Sequence, residues 1–289
     1  MKYLIHHQDN LDKLIAGKLK DGFRRFDIRS EFLDSTSKAE TKKYFAQKPD
    51  VLVSVGSALD RNLFKKAKDD GLKTCLIHQS LKGIGQVKPA FTKYIDLIFD
   101  DLPANSTGLF YGNPVLDIVK SAPSATQESK SQGAVVGLIT GFERKNTLNT
   151  AAIIKSISRN LDVEVVHIDL IQDFEAAVEK ITNCNAGIAT SETAELVCVA
   201  LNCPSVRLHR KELFKKKPSG LLNSLMRKEV IQNINCRNST GALEEVNRIL
   251  NDYNYCAGIL QDYQIAKELL GLEPASRKIA SKIVDWLEA

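Results

Sequence analysis

Residues 185–211, NAGIATSETAELVCVALNCPSVRLHRK, contain the pattern that decides the fold. A short apolar strand, AGIAT, is followed by a Ser/Thr-rich turn, an apolar helix, a Cys-Pro break and a second strand that ends in basic residues. Two strands joined through a helix require a crossover connection, which is typical of parallel strands in a βαβ unit. The stretch therefore predicts an α/β fold.

The same alternation continues on both sides of this stretch. The earlier strand signals are KYLIHH, RFDIRSEFLD, DVLVSVG, KTCLIHQ and YIDLIFDD, and a second series begins with AVVGLITG and VEVVHIDL. Helical patterns separate these strands, so each series predicts a doubly wound parallel sheet with helices on both faces. Between the two series, residues 119–133, VKSAPSATQESKSQG, have too little apolar surface to join either core.

We therefore predict two Rossmann-like domains that face a cleft. The N-terminal domain covers residues 1–118, a linker covers 119–133, and the C-terminal domain covers 134–289 and includes the closing C-terminal helices. In such sheets ligands bind beyond the carboxyl ends of the strands.

Charge, cysteine spacing and hydropathy argue against several classes of protein. The net charge of +5 arises from 40 basic and 35 acidic residues that are interspersed, which does not indicate binding to nucleic acid. The six cysteines include no C-x-x-C pair, so we expect reduced thiols rather than a disulfide or zinc framework. The N-terminus turns polar after Ile5, and no run approaches the roughly 18 apolar residues of a spanning helix. We expect a cytoplasmic protein.

Ser191, Thr193 and Glu195 lie where the strand AGIAT passes into the helix TAELVCVAL. The N-terminus of a helix presents unpaired N–H groups and a partial positive charge, which suits a phosphate. The same residues are also suited to plain helix capping, in which Ser191 or Thr193 accepts a hydrogen bond from the first turn. The residues alone leave both explanations open.

The block SETAELVCVALNCPSVRLHR resembles a segment of the lipid-A-disaccharide synthases that reads roughly S-G-T-A-T-L-E-A-A-L-x-G-x-P-x-V-V-x-Y-R/K. The matching positions are Ser191, Thr193, Ala194, Leu196, Pro204, Val206 and Arg210. Downstream, NSLMRKEVIQNIN is similar to a second segment of that family, and upstream FYGNPVLDIV and GLITGFERKN are similar to two more. The resemblance runs from about residue 50 to the C-terminus, with the motifs in the same order.

This resemblance implies a GT-B fold and a glycosyltransferase that moves an acylated glucosamine from a UDP-sugar to a lipid-linked acceptor. It implies no metal and no cofactor besides the UDP-sugar co-substrate. Carried over by position, the nucleotide-sugar site would comprise Gly141, Arg144, Ser191, Thr193, Glu195, Arg210, Asn223 and Glu229.

A general base is harder to assign from the residues. Where the family has a glycine-rich loop after its first strand, this chain has HHQDNLD, and where the family has an aspartate it has Val55, Gly56 and Ser57. The candidate substitutes at strand ends are Asp9, Asp60 and His78. A helix cap explains Asp60 equally well, and a hydrogen-bonded structural role explains His78.

Residues 209–229, HRKELFKKKPSGLLNSLMRKE, mix lysine and arginine with leucine, phenylalanine and methionine. This mixture is typical of a surface that docks on anionic lipid, as a protein peripheral to the inner membrane would need. It is also typical of a charged helix face beside an ordinary core.

Three functions are compatible with these residues and motifs. The first is a glycosyltransferase similar to lipid-A-disaccharide synthase. The second is another sugar-nucleotide enzyme with the same fold, such as a hydrolase or an epimerase. The third is a noncatalytic relative that binds a nucleotide-sugar or a protein partner.

Overall fold

The computed structural model describes residues 1–7, 9–34, 38–56, 60–79, 87, 89–103, 108–121, 133–141, 150–209, 220–271 and 274–289. The chain divides into two compact units. The N-terminal unit comprises Met1–Ile118 together with Leu270–Ala289, and the C-terminal unit comprises Val119–Leu269. Each unit is built on its own parallel sheet.

The N-terminal unit contains a five-stranded sheet in the order β2-β1-β3-β4-β5, and neighbouring strands in this order pair in parallel. The strands are β1 (Lys2–His7), β2 (Arg29–Asp34), β3 (Val51–Gly56), β4 (Lys73–His78) and β5 (Leu97–Asp100). Its helices are α1 (Asn10–Arg24), α2 (Lys38–Ala46), α3 (Arg61–Asp69), α4 (Pro89–Thr92), α5 (Pro114–Ser121) and, from the end of the chain, α12 (Ala275–Glu288). Leucines of β1, β3 and β4 pack against α2 and α3 on one face.

The last helix corrects the predicted domain boundary. The sequence pattern assigns it to the C-terminal domain, but α12 packs on α1, where a Cβ atom at Gly22 would lie 2.8 Å from Cβ of Ala280. The carboxylate of Asp117 accepts hydrogen bonds from the first backbone amides of α12, at 3.0 Å from Ala275 and 2.7 Å from Ser276. Helix α12 therefore completes the N-terminal unit. Most of the predicted linker lies outside the described residues.

The C-terminal unit contains a second five-stranded sheet, in the order β10-β9-β8-β6-β7, and its neighbouring strands also pair in parallel. Its strands are β6 (Ala134–Thr140), β7 (Val163–Asp169), β8 (Ala186–Ala189), β9 (Ser205–His209) and β10 (Asn233–Asn235). Its helices are α6 (Ala151–Asn160), α7 (Phe174–Thr182), α8 (Glu192–Leu201), α9 (Leu221–Met226), α10 (Ser239–Asn251) and α11 (Tyr253–Leu270). The predicted α/β fold with two Rossmann-like sheets is confirmed.

The two sheets have the same topology. In each, the first strand of the unit pairs with both the second and the third, so the direction in which strands are added reverses beside it. These reversals lie between β1 and β3 in one unit and between β6 and β8 in the other. In open α/β sheets the crevice beyond such a reversal is the usual ligand-binding place.

No helix among the described residues is long and apolar enough to cross a membrane.

All six cysteines are free thiols, of which Cys75, Cys198, Cys203 and Cys236 are buried.

Candidate functional site

The candidate site lies at the reversal point of the C-terminal sheet. Strand β6 ends at Thr140 and the neighbouring β8 ends at Ala189, with Ile139 directly opposite Ala189. Gly141 follows the first strand, and Thr190 and Ser191 follow the second. Helix α8 begins immediately after Ser191, so its first turn opens at the place where this topology forms a crevice.

Ser191 is the N-cap of α8. Its backbone is extended, with φ −143°, and its Oγ atom accepts a hydrogen bond of 3.0 Å from the amide of Ala194. Both Ser191 and Thr193 are 1% exposed. The capping explanation is therefore realised at Ser191, and the contact of this residue with a phosphate stays a prediction.

Gly141 packs closely against this cap. A Cβ atom at residue 141 would lie 2.0 Å from Oγ and 3.0 Å from Cβ of Ser191. Atoms cannot approach so closely, and only glycine permits the backbone after β6 to lie against the first turn of α8. The arrangement keeps a side chain of residue 141 away from the helix N-terminus, where backbone N–H groups and the helix dipole favour an anion.

Glu195, which the resemblance assigns to the nucleotide-sugar site, makes its hydrogen bonds within the protein, and its contact with a ligand stays a prediction. Its side chain is completely buried, and Oε2 accepts a hydrogen bond of 2.6 Å from Nη1 of Arg207. The carboxylate also accepts hydrogen bonds from the backbone amides of Leu221, at 3.1 Å, and Leu222. Glu195 therefore joins α8, β9 and the first turn of α9.

Asn223 is also engaged within the protein. Its Oδ1 atom accepts hydrogen bonds from the amides of Val230, at 2.8 Å, and Ile231, at 3.1 Å, while Nδ2 donates to the carbonyl of Ile231 at 2.8 Å. The side chain thus holds α9 to the segment that leads to β10. Glu229, in contrast, is exposed.

Two of the predicted site residues, Arg144 and Arg210, lie outside the described residues. So do residues 210–219 of the basic segment that we considered for membrane contact. Of its described apolar residues, Leu221 is 6% exposed and Leu222 is 1% exposed. These two leucines pack in the core and are not available to a lipid surface.

The three candidate bases lie in the N-terminal unit. Asp9 is the N-cap of α1 and accepts from the amide of Asp12 at 2.9 Å, and Asp60 is the N-cap of α3 and accepts from the amides of Asn62 and Leu63. His78 ends β4, and its Nδ1 atom lies 3.0 Å from Oδ1 of Asp100.

Asp100 was not among the residues predicted from the sequence. The sequence could have indicated it, because Asp100 lies near the end of the predicted strand YIDLIFDD. The carboxyl ends of parallel strands meet at one edge of a sheet, so residues at these ends are candidates for the same site. Asp100 and His78 are paired residues of adjacent strands, a relationship that depends on strand order.

None of the described residues form a group of three or more His, Cys, Asp or Glu side chains suited to a metal ion. The absence of a metal or other cofactor from the reaction stays a prediction of the resemblance.

The two sheets define the class of fold. Two Rossmann-like domains, each with a doubly wound parallel sheet, form an α/β fold of the GT-B type.

Comparisons with solved structures support this class. A protein assigned as a UDP-N-acetylglucosamine 2-epimerase from Listeria monocytogenes is similar over 99% of this chain and 96% of its own, with a TM-score of 0.71 and 12% identity. The UDP-GlcNAc 2-epimerase of Methanocaldococcus jannaschii, solved with UDP-GlcNAc and UDP, has a TM-score of 0.63 and 10% identity, over 99% of this chain and 100% of its own.

Sucrose-phosphate synthase from Thermosynechococcus elongatus is similar over 100% of both chains, with a TM-score of 0.62 and 8% identity. No protein-family model matches the sequence, and no curated protein sequence matches it either. The similarity to these structures shows the shared GT-B-type fold, and it does not single out the lipid-A-disaccharide synthases.

Proposed function

We propose that the protein is a sugar-nucleotide enzyme that binds a UDP-linked N-acetylhexosamine and epimerises or hydrolyses it. The diphosphate would bind at the first turn of α8, beside Gly141 and Ser191. The main support for this position of the diphosphate is the close contact between Gly141 and Ser191. This contact requires a glycine at the carboxyl edge of the sheet. The similarity to 2-epimerases over nearly the whole chain supports the ligand class.

The electrostatics of this turn suit the leaving group of such a reaction. Release of UDP from a sugar leaves negative charge on the diphosphate, and fixed N–H groups stabilise that charge without reorganisation. A helix N-terminus supplies roughly half a positive charge within its first turn. Gly141 and the N-cap Ser191 place this turn at the end of β6.

A second candidate is a glycosyltransferase with a lipid-linked acceptor. It is favoured by the resemblance of residues 191–210 to the lipid-A-disaccharide synthases and by the fold similarity to a sucrose-phosphate synthase. Of the two candidate functions, only this one requires contact with an anionic membrane. The burial of Leu221 and Leu222 removes two of the residues on which that contact was based.

Calorimetric titration with UDP and with UDP-N-acetylglucosamine tests the binding site. We expect Gly141→Ala to abolish UDP binding and Ser191→Ala to weaken it. Asp173→Ala is the matched control, because Asp173 caps α7 of the same unit through a hydrogen bond of 3.0 Å from Ala176, and α7 follows β7 rather than β6 or β8, the two strands at the reversal point. Absence of binding in the unaltered protein at millimolar ligand would overturn the proposal.

The reaction is tested by NMR of UDP-N-acetylglucosamine incubated with the protein. The C2 epimer would identify an epimerase, and free UDP with free sugar would identify a hydrolase. A sugar-nucleotide that stays intact until a lipid-linked acceptor is added would favour the second candidate. Binding without turnover under all of these conditions would contradict both enzymes and leave the noncatalytic relative.

A further inference from the structure

The N-terminal sheet contains a buried pair of residues that neither helix capping nor core packing explains. Nδ1 of His78 lies 3.0 Å from Oδ1 of Asp100, and the side chains are 1% and 0% exposed, respectively. The two residues are direct partners in the parallel register of β4 and β5, and each is the last residue of its strand. Strand pairing therefore fixes both backbones.

The pairing determines which nitrogen of His78 carries the proton. An ionised carboxylate only accepts hydrogen bonds, so it selects the imidazole form in which Nδ1 bears hydrogen. In the neutral ring, Nε2 then presents a lone pair and can accept a proton. Asp100 is in the position of a residue that orients a base, as the carboxylate does in hydrolase triads.

Nε2 of His78 is buried and has no hydrogen-bond partner within the described part of the chain. Buried polar atoms are almost always paired, so an orphaned ring nitrogen calls for an explanation. The next residue, Gln79, is 1% exposed, and its Nε2 likewise has no partner among the residues that the structure describes. Two orphaned polar groups thus follow one another at the end of a single strand.

This strand end lies at the edge where parallel sheets bind ligands. Residue 56, opposite His78 in the neighbouring β3, is a glycine with φ 144°, so no side chain extends from that position. On the same side of β3, Ser54 is hydrogen-bonded to His6 of β1 at 2.8 Å. The edge is polar although it is buried.

We propose that Nε2 of His78 is a proton-accepting site for a hydroxyl group of a carbohydrate and that Asp100 is its positioning residue. The hydroxyl donates its hydrogen to Nε2. In full transfer, the O–H bond breaks, its electron pair stays on oxygen and an N–H bond forms. The Asp100 carboxylate balances the imidazolium charge. The choice of a carbohydrate rests on the proposed function, whereas the need for a hydrogen-bond donor rests on the buried nitrogen.

The test uses NMR of the full-length protein labelled with ¹⁵N in its five histidines. A His78→Gln variant identifies the His78 signals by their loss. We expect Nδ1 of His78 to carry hydrogen and Nε2 to show the shift of a proton acceptor. N-acetylglucosamine should then move the Nε2 signal of His78 in a saturable manner.

UDP is the probe that separates this proposal from the proposed function. His167 and His209 lie in the C-terminal unit, and His209 ends β9, so their signals report on the C-terminal sheet. Movement of these signals with UDP, while N-acetylglucosamine leaves His78 unchanged, overturns the His78 site alone. Movement of His78 with the sugar and no response to UDP supports the His78 site and contradicts the proposed function.

Asp100→Asn tests the positioning role. An amide in place of the carboxylate can donate to Nδ1, so we expect the hydrogen of His78 to move to Nε2 and the response to N-acetylglucosamine to fall at least tenfold in affinity. Asp173→Asn is the control, because asparagine caps a helix as well as aspartate and the Asp173 side chain accepts the N-cap hydrogen bond of α7 in the C-terminal unit. Hydrogen on Nε2 in the unaltered protein, or an unchanged tautomer in Asp100→Asn, would overturn the proposal.

Discussion

Oε2 of Glu195 lies 2.6 Å from Nη1 of Arg207, and the same carboxylate accepts backbone hydrogen bonds from Leu221 and Leu222. The side chain of Glu195 is completely buried. The carboxylate already accepts hydrogen bonds from one cation and two backbone amides, so we expect any contribution of Glu195 to a ligand site to be indirect. It fixes the positions of α8, β9 and α9 relative to one another.

Removal of the Glu195 carboxylate should therefore destabilise the C-terminal unit. We expect Glu195→Ala to lower the free energy of unfolding by about 3–5 kcal/mol, because it breaks a buried ion pair by removing one member. Urea denaturation measures the change. Glu192→Gln is the control, because Glu192 lies 3.8 Å from Arg207 and is partly exposed, and it should change the free energy by less than about 1 kcal/mol. Equal losses in the two variants would contradict this role.

The contact between Gly141 and Ser191 predicts a pair of compensating substitutions. Gly141→Ala alone should cost about 1–3 kcal/mol of stability, because its Cβ would overlap Oγ of Ser191 at 2.0 Å. Ser191→Gly removes both atoms of that side chain, and in this background Gly141→Ala should cost much less. Thermal unfolding of the four proteins gives the coupling. Strictly additive losses would show that the close approach does not exist in solution.

Asn223 should affect ligand binding only through the fold. Asn223→Ala leaves the amides of Val230 and Ile231 without their acceptor, which should cost about 1–3 kcal/mol of stability. At a temperature where the variant is folded, we expect calorimetry to show unchanged affinity for UDP. Loss of UDP binding in a fully folded variant would instead place Asn223 in the ligand site.

Asp117 should stabilise the docking of the last helix. Asp117→Ala removes the acceptor for the amides of Ala275 and Ser276, and we expect a loss of about 1–2 kcal/mol, with a smaller loss for Asp117→Asn. Thermal denaturation followed by circular dichroism measures the change. Asp21→Asn is the control, because Asp21 forms an exposed ion pair with Arg24. Identical melting of the Asp117 variants and the unaltered protein would refute this role.

The cysteines should react slowly in the folded protein. Burial raises the pKa of the Cys75 thiol well above its usual range. The pKa of Cys184 is raised to about 12, mainly by burial and to a smaller extent by the nearby Cys198. The thiolate is the reactive species, so at pH near 8 little of either thiol is in that form.

Iodoacetamide labelling read by mass spectrometry checks this expectation. Cys184 and Cys256, which are partly exposed, should label first but more slowly than free cysteine, because burial also raises the pKa of Cys256. The buried thiols should label only after unfolding in urea. Rapid labelling of Cys75 in the folded protein would contradict its burial.

The alternation of strands and helices was predictable from the sequence because each buried strand needs a run of apolar residues. KYLIHH, DVLVSVG and KTCLIHQ correspond to β1, β3 and β4, and FEAAVEKITN corresponds to α7. Strand β10 was not predicted, because Asn233–Asn235 is only three residues long and mostly polar. The N-cap at Ser191 was among the two explanations that the residues allowed, since capping depends on residues within one turn of each other.

The sequence by itself thus determined the α/β class, the two sheets and the capping turn of α8, because all of these follow from local patterns of apolar and polar residues. Only the tertiary structure decided that α12 belongs to the N-terminal unit, since the Asp117 contact with Ser276 joins residues 159 positions apart. Only strand order brings His78 to Asp100, and only packing between α8, β9 and α9 assigns Glu195 to the interior. Contacts between distant segments depend on how whole elements pack, and no local pattern encodes them.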